Sequence, residues 1–194
     1  THSLSLRWCQ YYETTPTVLA FPNWLTTSGI TPDTVEDLTY AITSISTTNF
    51  VIGYQKESRN LGFNIAVISQ EMPTENLKHG VIYDCTEEGE NQTSSTSGIT
   101  VPANSCGTSG PFNATNSLSE GVKIEFDSPH FYDIPSVVVT PFIPNWDAEG
   151  LPKCFVESIT KTFARVKCYL VYQDSGEFTF RQIPFTFAAV ERTK

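Results

Sequence analysis

Apolar and polar residues alternate with period two through most of this chain, the rhythm of strands whose two faces meet different surroundings. In the first half this rhythm, with its bounding turns, predicts strands near Leu4–Trp8, Thr17–Phe21, Leu38–Ile45, Phe50–Gln55 and Phe63–Ser69. In the second half it predicts strands near Val122–Phe126, Ser136–Thr140, Cys154–Ile159, Phe163–Tyr172, Glu177–Arg181 and Phe185–Val190. One stretch, Thr31 to Leu38, opens with Thr then Pro, a helix-start signal, and makes two turns at most. Short strands without βαβ alternation point to an all-β fold of antiparallel β-sandwiches.

The two halves follow each other in order. Arg59-Asn60-Leu61-Gly62-Phe63-Asn64-Ile65-Ala66 returns 122 positions later as Arg181-Gln182-Ile183-Pro184-Phe185-Thr186-Phe187-Ala188. Leu4, Leu6 and Trp8 match Val122, Ile124 and Phe126, and Pro16-Thr17-Val18-Leu19 matches Pro135-Ser136-Val137-Val138. The segment ending in Trp24 matches the one ending in Trp146. Ser44-Ile45-Ser46-Thr47-Thr48-Asn49-Phe50 matches Ser158-Ile159-Thr160-Lys161-Thr162-Phe163 with one residue inserted. The expectation is two tandem sandwich units from an internal duplication, 1–72 and 119–194. The connector 73–118 is rich in Ser, Thr and Gly beyond Glu87 and should be a mobile loop there, because it has little apolar surface to bury. Gly80–Cys85 and Ile99–Val101 are candidate extra strands within it.

Cysteines stand at 9, 85, 106, 154 and 168, with no C-x-x-C pair to suggest zinc or a redox site. Facing residues of an antiparallel hairpin have a constant index sum. A three-residue turn at Thr160-Lys161-Thr162 fixes that sum at 322, which 154 and 168 also give. Cys154 and Cys168 are therefore expected to face each other in a disulfide, one closing a short loop and contributing about 2–3 kcal/mol. Cys85 with Cys106 is the second expected bridge, with Cys9–Cys85 as its competitor; the odd count leaves one thiol over.

Composition narrows the setting. Hydrophobic residues make up 39% and charged residues 17%, too apolar for a disordered chain. A net charge of −9 argues against nucleic acid and against anionic membranes as partners, and no apolar run is long enough for membrane insertion. The chain begins Thr1-His2-Ser3, as a mature or trimmed product would. Sequons at Asn91 and Asn113 lie where a surface loop would carry glycans. With the cysteines, they favour a secreted protein, extracellular or in a secretory organelle.

Little in the chain suggests catalysis, a metal or a cofactor. His2, His79 and His130 are scattered and pair with no evident nucleophile. Ser158-Ile159-Thr160-Lys161 fits the S-x-x-K string, but on a strand and turn it lacks the helical geometry that brings Lys onto Ser. Asp147-Ala148-Glu149 and Glu87-Glu88-Gly89-Glu90 match no calcium loop and read as solvated acids. The stronger functional hint is Pro-Asn-Trp, present as Asn23 and Trp24 after Pro22 and as Asn145 and Trp146 after Pro144. An indole beside an amide suits sugar stacking or a protein hot spot. The competing reading is that each Trp plugs the end of its own sandwich.

Two resemblances follow from these residues. Phe131-Tyr132-Asp133-Ile134-Pro135-Ser136-Val137-Val138-Val139 with Ser158-Ile159-Thr160-Lys161-Thr162-Phe163-Ala164-Arg165-Val166 resembles the H-type lectin domain, and the first half repeats the arrangement. The resemblance implies a β-sandwich that binds N-acetylgalactosamine. The family's Trp-His pair after the hairpin has no counterpart in Tyr169-Leu170-Val171-Tyr172-Gln173-Asp174, so its sugar site does not carry over. A secreted, cysteine-containing lectin-like chain is also similar to accessory subunits of apicomplexan microneme adhesin complexes, which implies a protein partner. The expected function is non-enzymatic recognition in adhesion, with a glycan or an extracellular adhesin or receptor as ligand, no cofactor, and oligomerisation left open. The competing class is a coat or receptor-binding tip protein whose sandwiches mediate assembly.

Overall fold

The computed structural model describes residues 2–9, 11–24, 39–55, 61–72, 75–85, 91–102, 112–113, 121–146, 150–174 and 177–191. The protein is all-β: among the described residues there is no helix, and antiparallel ladders build four sheets. In the first half, β1 (His2–Arg7), β4 (Asn49–Gln55) and β3 (Thr39–Ile45) form sheet A, in that order. Sheet B is β2 (Thr17–Trp24) beside β5 (Leu61–Ile68). Sheet C takes β11 (Ser136–Pro141), β15 (Phe185–Val190), β6 (Leu77–Cys85) and β7 (Asn91–Ser97). Sheet D runs β8 (Ile99–Thr100), β10 (Val122–Phe126), β13 (Phe163–Asp174), β14 (Glu177–Gln182) and β9 (Phe112–Asn113), with β12 (Leu151–Ile159) also on β13. The helix-start stretch at 31–38 lies outside the described residues.

The halves share their pairing. Leu4 faces Ile52 as Val122 faces Val166, and Thr17 faces Ile68 as Ser136 faces Val190. Both hairpins bulge at the same place, between Ile42 and Ser44 and between Val156 and Ser158. Their turns also match bond for bond. The Ser46 and Asn49 pair is joined by Ser46 N–H donating to Asn49 O at 2.8 Å and Asn49 N–H to Ser46 Oγ at 2.9 Å. Thr160 N–H donates to Phe163 O at 2.8 Å and Phe163 N–H to Thr160 Oγ1 at 3.0 Å. Phe163 therefore corresponds to Asn49, not to Phe50, and no residue is inserted.

Cys154 and Cys168 are paired in register and joined by a disulfide. The turn spans four residues, with Ile159 opposite Ala164, and the bulge at Glu157 restores the register that a three-residue turn would have given. Cys9 is an exposed free thiol, so it takes no part in a Cys9–Cys85 bridge. Cys85 ends β6 opposite Asn91, while Cys106 lies outside the described residues.

The connector behaves differently from a loop over much of its length. β6 and β7 extend sheet C and β8 joins sheet D, so residues 77–85 and 91–100 are structural parts of the second half. Asn91 opens β7 and Asn113 closes β9, both in strands where a loop was expected. β7 reads Asn-Gln-Thr-Ser-Ser-Thr-Ser. Ladder bonds to β6 pair the backbone groups that face it, so it needs no apolar face of its own to be a strand.

Sheets C and D enclose one core, in which Phe126, Phe185, Phe187, Ile124 and Val166 are buried with Ile82 and Ile99 from the connector. Sheets A and B enclose a second, with Val18, Ala20, Ile42, Phe50 and Ile52, closed by Val81 and Phe142 from the other half. β6 is thus buried on both faces, Ile82 feeding one core and Val81 the other. The seam where sheet B meets sheet C is lined with fully buried polar side chains: Thr17, His79, Thr140 and Thr186. Ala20 presents its backbone there, its N–H donating to Thr140 Oγ1 at 3.2 Å and its carbonyl accepting from the same hydroxyl at 3.3 Å. One threonine thereby satisfies two polar groups on the edge of β2.

His79 Nδ1 lies 2.8 Å from Thr17 Oγ1, which also accepts from Gln70 Nε2 at 3.3 Å. Either neutral tautomer makes this contact, Nδ1 accepting from the hydroxyl or donating to its second lone pair. Nε2 is buried with no hydrogen-bond partner among the described residues, and burial pushes the imidazole down to about 4 from its ordinary 6.5. Lys78, next along the strand, is also fully buried. It donates to the Asp127 carbonyl at 2.8 Å and sits 5.3 Å from the centre of the Phe131 ring. Desolvation lowers its pKa, opposed by the Asp127 charge.

Candidate functional site

The two Pro-Asn-Trp segments adopt different local structures. Pro22-Asn23-Trp24 is the end of β2, paired with Phe63, Gly62 and Leu61. Asn23 is exposed and its amide donates to Asn64 Oδ1 at 3.3 Å. Trp24 closes the strand, and its side chain lies outside what is described. Ile143-Pro144-Asn145-Trp146 is a turn: the Trp146 N–H donates to Ile143 O at 3.2 Å, and Asn145 has φ +56°. Pro in the first central position and a left-handed Asn in the second are the residues such a type II turn selects. Asn145 therefore has a backbone reason to be there besides any contact its exposed amide makes.

The turn is held against the other half. Ile143 N–H donates to Ile42 O at 2.8 Å, and Ile42 and Phe142 form a parallel bridge. This carries Trp146 onto the outer face of sheet A, where its ring packs on Gly53 of β4. A Cβ at Gly53 would come within 3.4 Å of the indole and 2.9 Å of Thr43 Cγ2. Trp146 is 8% exposed, so it is chiefly a packing residue, and it packs on a strand of the opposite half. Its visible edge borders a cleft of about 300 Å³. The other walls are His2 and Ser3 of β1, Thr43 and Ser44 of β3, Val51 and Gly53 of β4, and Asn145.

Of the four residues singled out from the sequence, Asn145 and Trp146 meet in this cleft, while Asn23 is not part of its lining. The hydroxyls and Gly53 were missed. Gly53 had a signal, since a glycine inside an apolar strand often marks a close approach by another group. None of the lining residues is an acid or a lysine, so the cleft offers hydroxyl, amide and imidazole groups beside an indole edge. Among the described residues no group of three His, Cys, Asp or Glu side chains converges to hold a metal ion. No family model matches this chain, and neither a curated protein nor a solved structure does.

Proposed function

We propose that this is a non-enzymatic extracellular recognition protein, lectin-like in the broad sense, built from two diverged copies of one sandwich and binding a neutral glycan in the cleft between its halves. The copying is supported by the shared registers, bulges and turn bonds of the two hairpins. Secretion is supported by the Cys154–Cys168 disulfide. The glycan is supported by one observation above the rest: hydroxyl groups, an exposed Asn amide and an indole edge converge on a cleft of about 300 Å³ lined by no acid or lysine, a volume suited to one or two sugar rings.

The test must spare the fold. Trp146→Ala would empty a buried site, costing about 3–5 kcal/mol, and would confuse lost binding with lost structure. Asn145→Gly keeps the left-handed turn and removes the amide, and Ser44→Ala removes a hydroxyl. A glycan array should show a neutral saccharide bound by the parent and lost in both variants while their melting temperatures hold. Binding that persists undiminished in both, or an array with no hit, rejects the glycan and leaves a protein adhesin or receptor as the ligand to seek.

A further inference from the structure

The corresponding sheets B and C differ in one respect. On sheet C, β15 is paired on both sides, with β11 and with β6. On sheet B, β5 corresponds to β15 in register, yet among the described residues it pairs with β2 alone. The burial follows. Phe185, Phe187, Ala188 and Ala189 are buried, whereas Phe63, Ile65, Ala66 and Val67, at the corresponding positions, are only half-buried. The same contrast separates Leu6, 38% exposed, from Ile124, which is 0% exposed beneath the connector strands.

The free edge has a definite polarity. Ala20 turns its backbone groups away from β5 toward Thr140, so Ala20 and Ile65 form a non-hydrogen-bonded pair. By alternation, the N–H and C=O groups of Phe63, Ile65 and Val67 point outward along the open edge. Natural sheets guard such edges with lysines, prolines or bulges. Here β5 reads Leu-Gly-Phe-Asn-Ile-Ala-Val-Ile and β2 reads Thr-Val-Leu-Ala-Phe-Pro-Asn-Trp, with no charged residue in either.

We propose that this edge joins two copies of the chain, each adding its β5 antiparallel to the other's about a two-fold axis. Centred on Ile65, the outward-facing groups of each strand meet those of its partner, with Phe63 opposite Val67. The combined sheet runs β2-β5-β5-β2, the same four-strand width that β6 and β7 give sheet C. A second copy is favoured as occupant because antiparallel strand pairing is self-complementary under two-fold symmetry, and because two chains of net charge −9 can approach most closely through an uncharged strip. The proposal is independent of what the cleft binds.

Sedimentation equilibrium of the full chain, with free thiols alkylated beforehand, tests it over a wide concentration range. A reversible monomer–dimer equilibrium is expected, with the Phe63, Ile65 and Val67 amides exchanging hydrogen more slowly as the dimer forms. Val67→Pro deletes an outward N–H without touching the β2 ladder, and should raise the dissociation constant about tenfold or more. Asn64→Lys, at an exposed site beside the axis, should weaken the dimer in the same direction and serves if the proline variant fails to fold. A strict monomer at every concentration overturns the proposal. So does a dimer whose β5 amides are unprotected, or one indifferent to the variants, or an edge that captures a different polypeptide while the chain itself stays monomeric.

Discussion

Acidification should loosen the seam between the halves through a single side chain. His79 is fully buried between sheets B and C, bonded to Thr17, with Ser97 and Ala188 beside it on the neighbouring strands. Burial holds its imidazole at about 4, against 6.5 for an exposed histidine. The folded value is the lower one, so as the pH falls the unfolded chain takes up the proton first. Stability is therefore lost across the interval from about 6.5 down to about 4, and this term is level above and below it. A gap of roughly two and a half pH units at about 1.4 kcal/mol each gives a total of ~3.5 kcal/mol. Urea unfolding followed from about pH 7 to about pH 4 reads it directly. His79→Asn keeps a polar atom near Thr17 and cannot ionise, so its stability should fall less steeply than that of the parent by up to that amount. Parallel curves for the two proteins would refute the reasoning, as would a histidine signal from position 79 titrating near 6.5.

Other substitutions address the remaining contacts. Replacing Cys154 and Cys168 together by alanine opens a crosslink with a sequence separation of 14 and should cost about 3 kcal/mol in chemical denaturation, since the loop it closes is short. Gly53→Val drives a branched side chain into Trp146 and Thr43, and should lower stability by about 1–3 kcal/mol while changing tryptophan fluorescence. Lys78→Met keeps the stem but leaves the Asp127 carbonyl without its donor, an expected loss of about 1–3 kcal/mol in thermal unfolding.

The strands were legible because the burial that selects them is local and alternating. Val122, Ile124 and Phe126 are buried while Lys123 and Glu125 between them are not, so β10 was readable residue by residue. The Cys154–Cys168 pairing was readable from spacing, although a bulge and a longer turn cancelled to give the expected register. β7 was not readable, because composition measures what a segment can bury and says nothing of a neighbour offering it a ladder. Nor was the fate of Pro-Asn-Trp. Its two occurrences are alike in sequence, yet one continues a strand and the other turns, decided by Ile42 of the opposite half accepting a bond from Ile143. Gly53, His79 and Thr140 matter for what they meet from the opposite half, and one-dimensional periodicity carries no such information.

Because β6 divides its side chains between the two cores, the sandwiches share a party wall. Severing the first half at residue 72 would not free an intact second domain. It would strip the cover from Val81, Phe142, His79 and the threonines, leaving a mixed oily and hydroxylated plate turned toward water. The protein should accordingly be inherited, expressed and lost as one piece, however separable its halves look on paper.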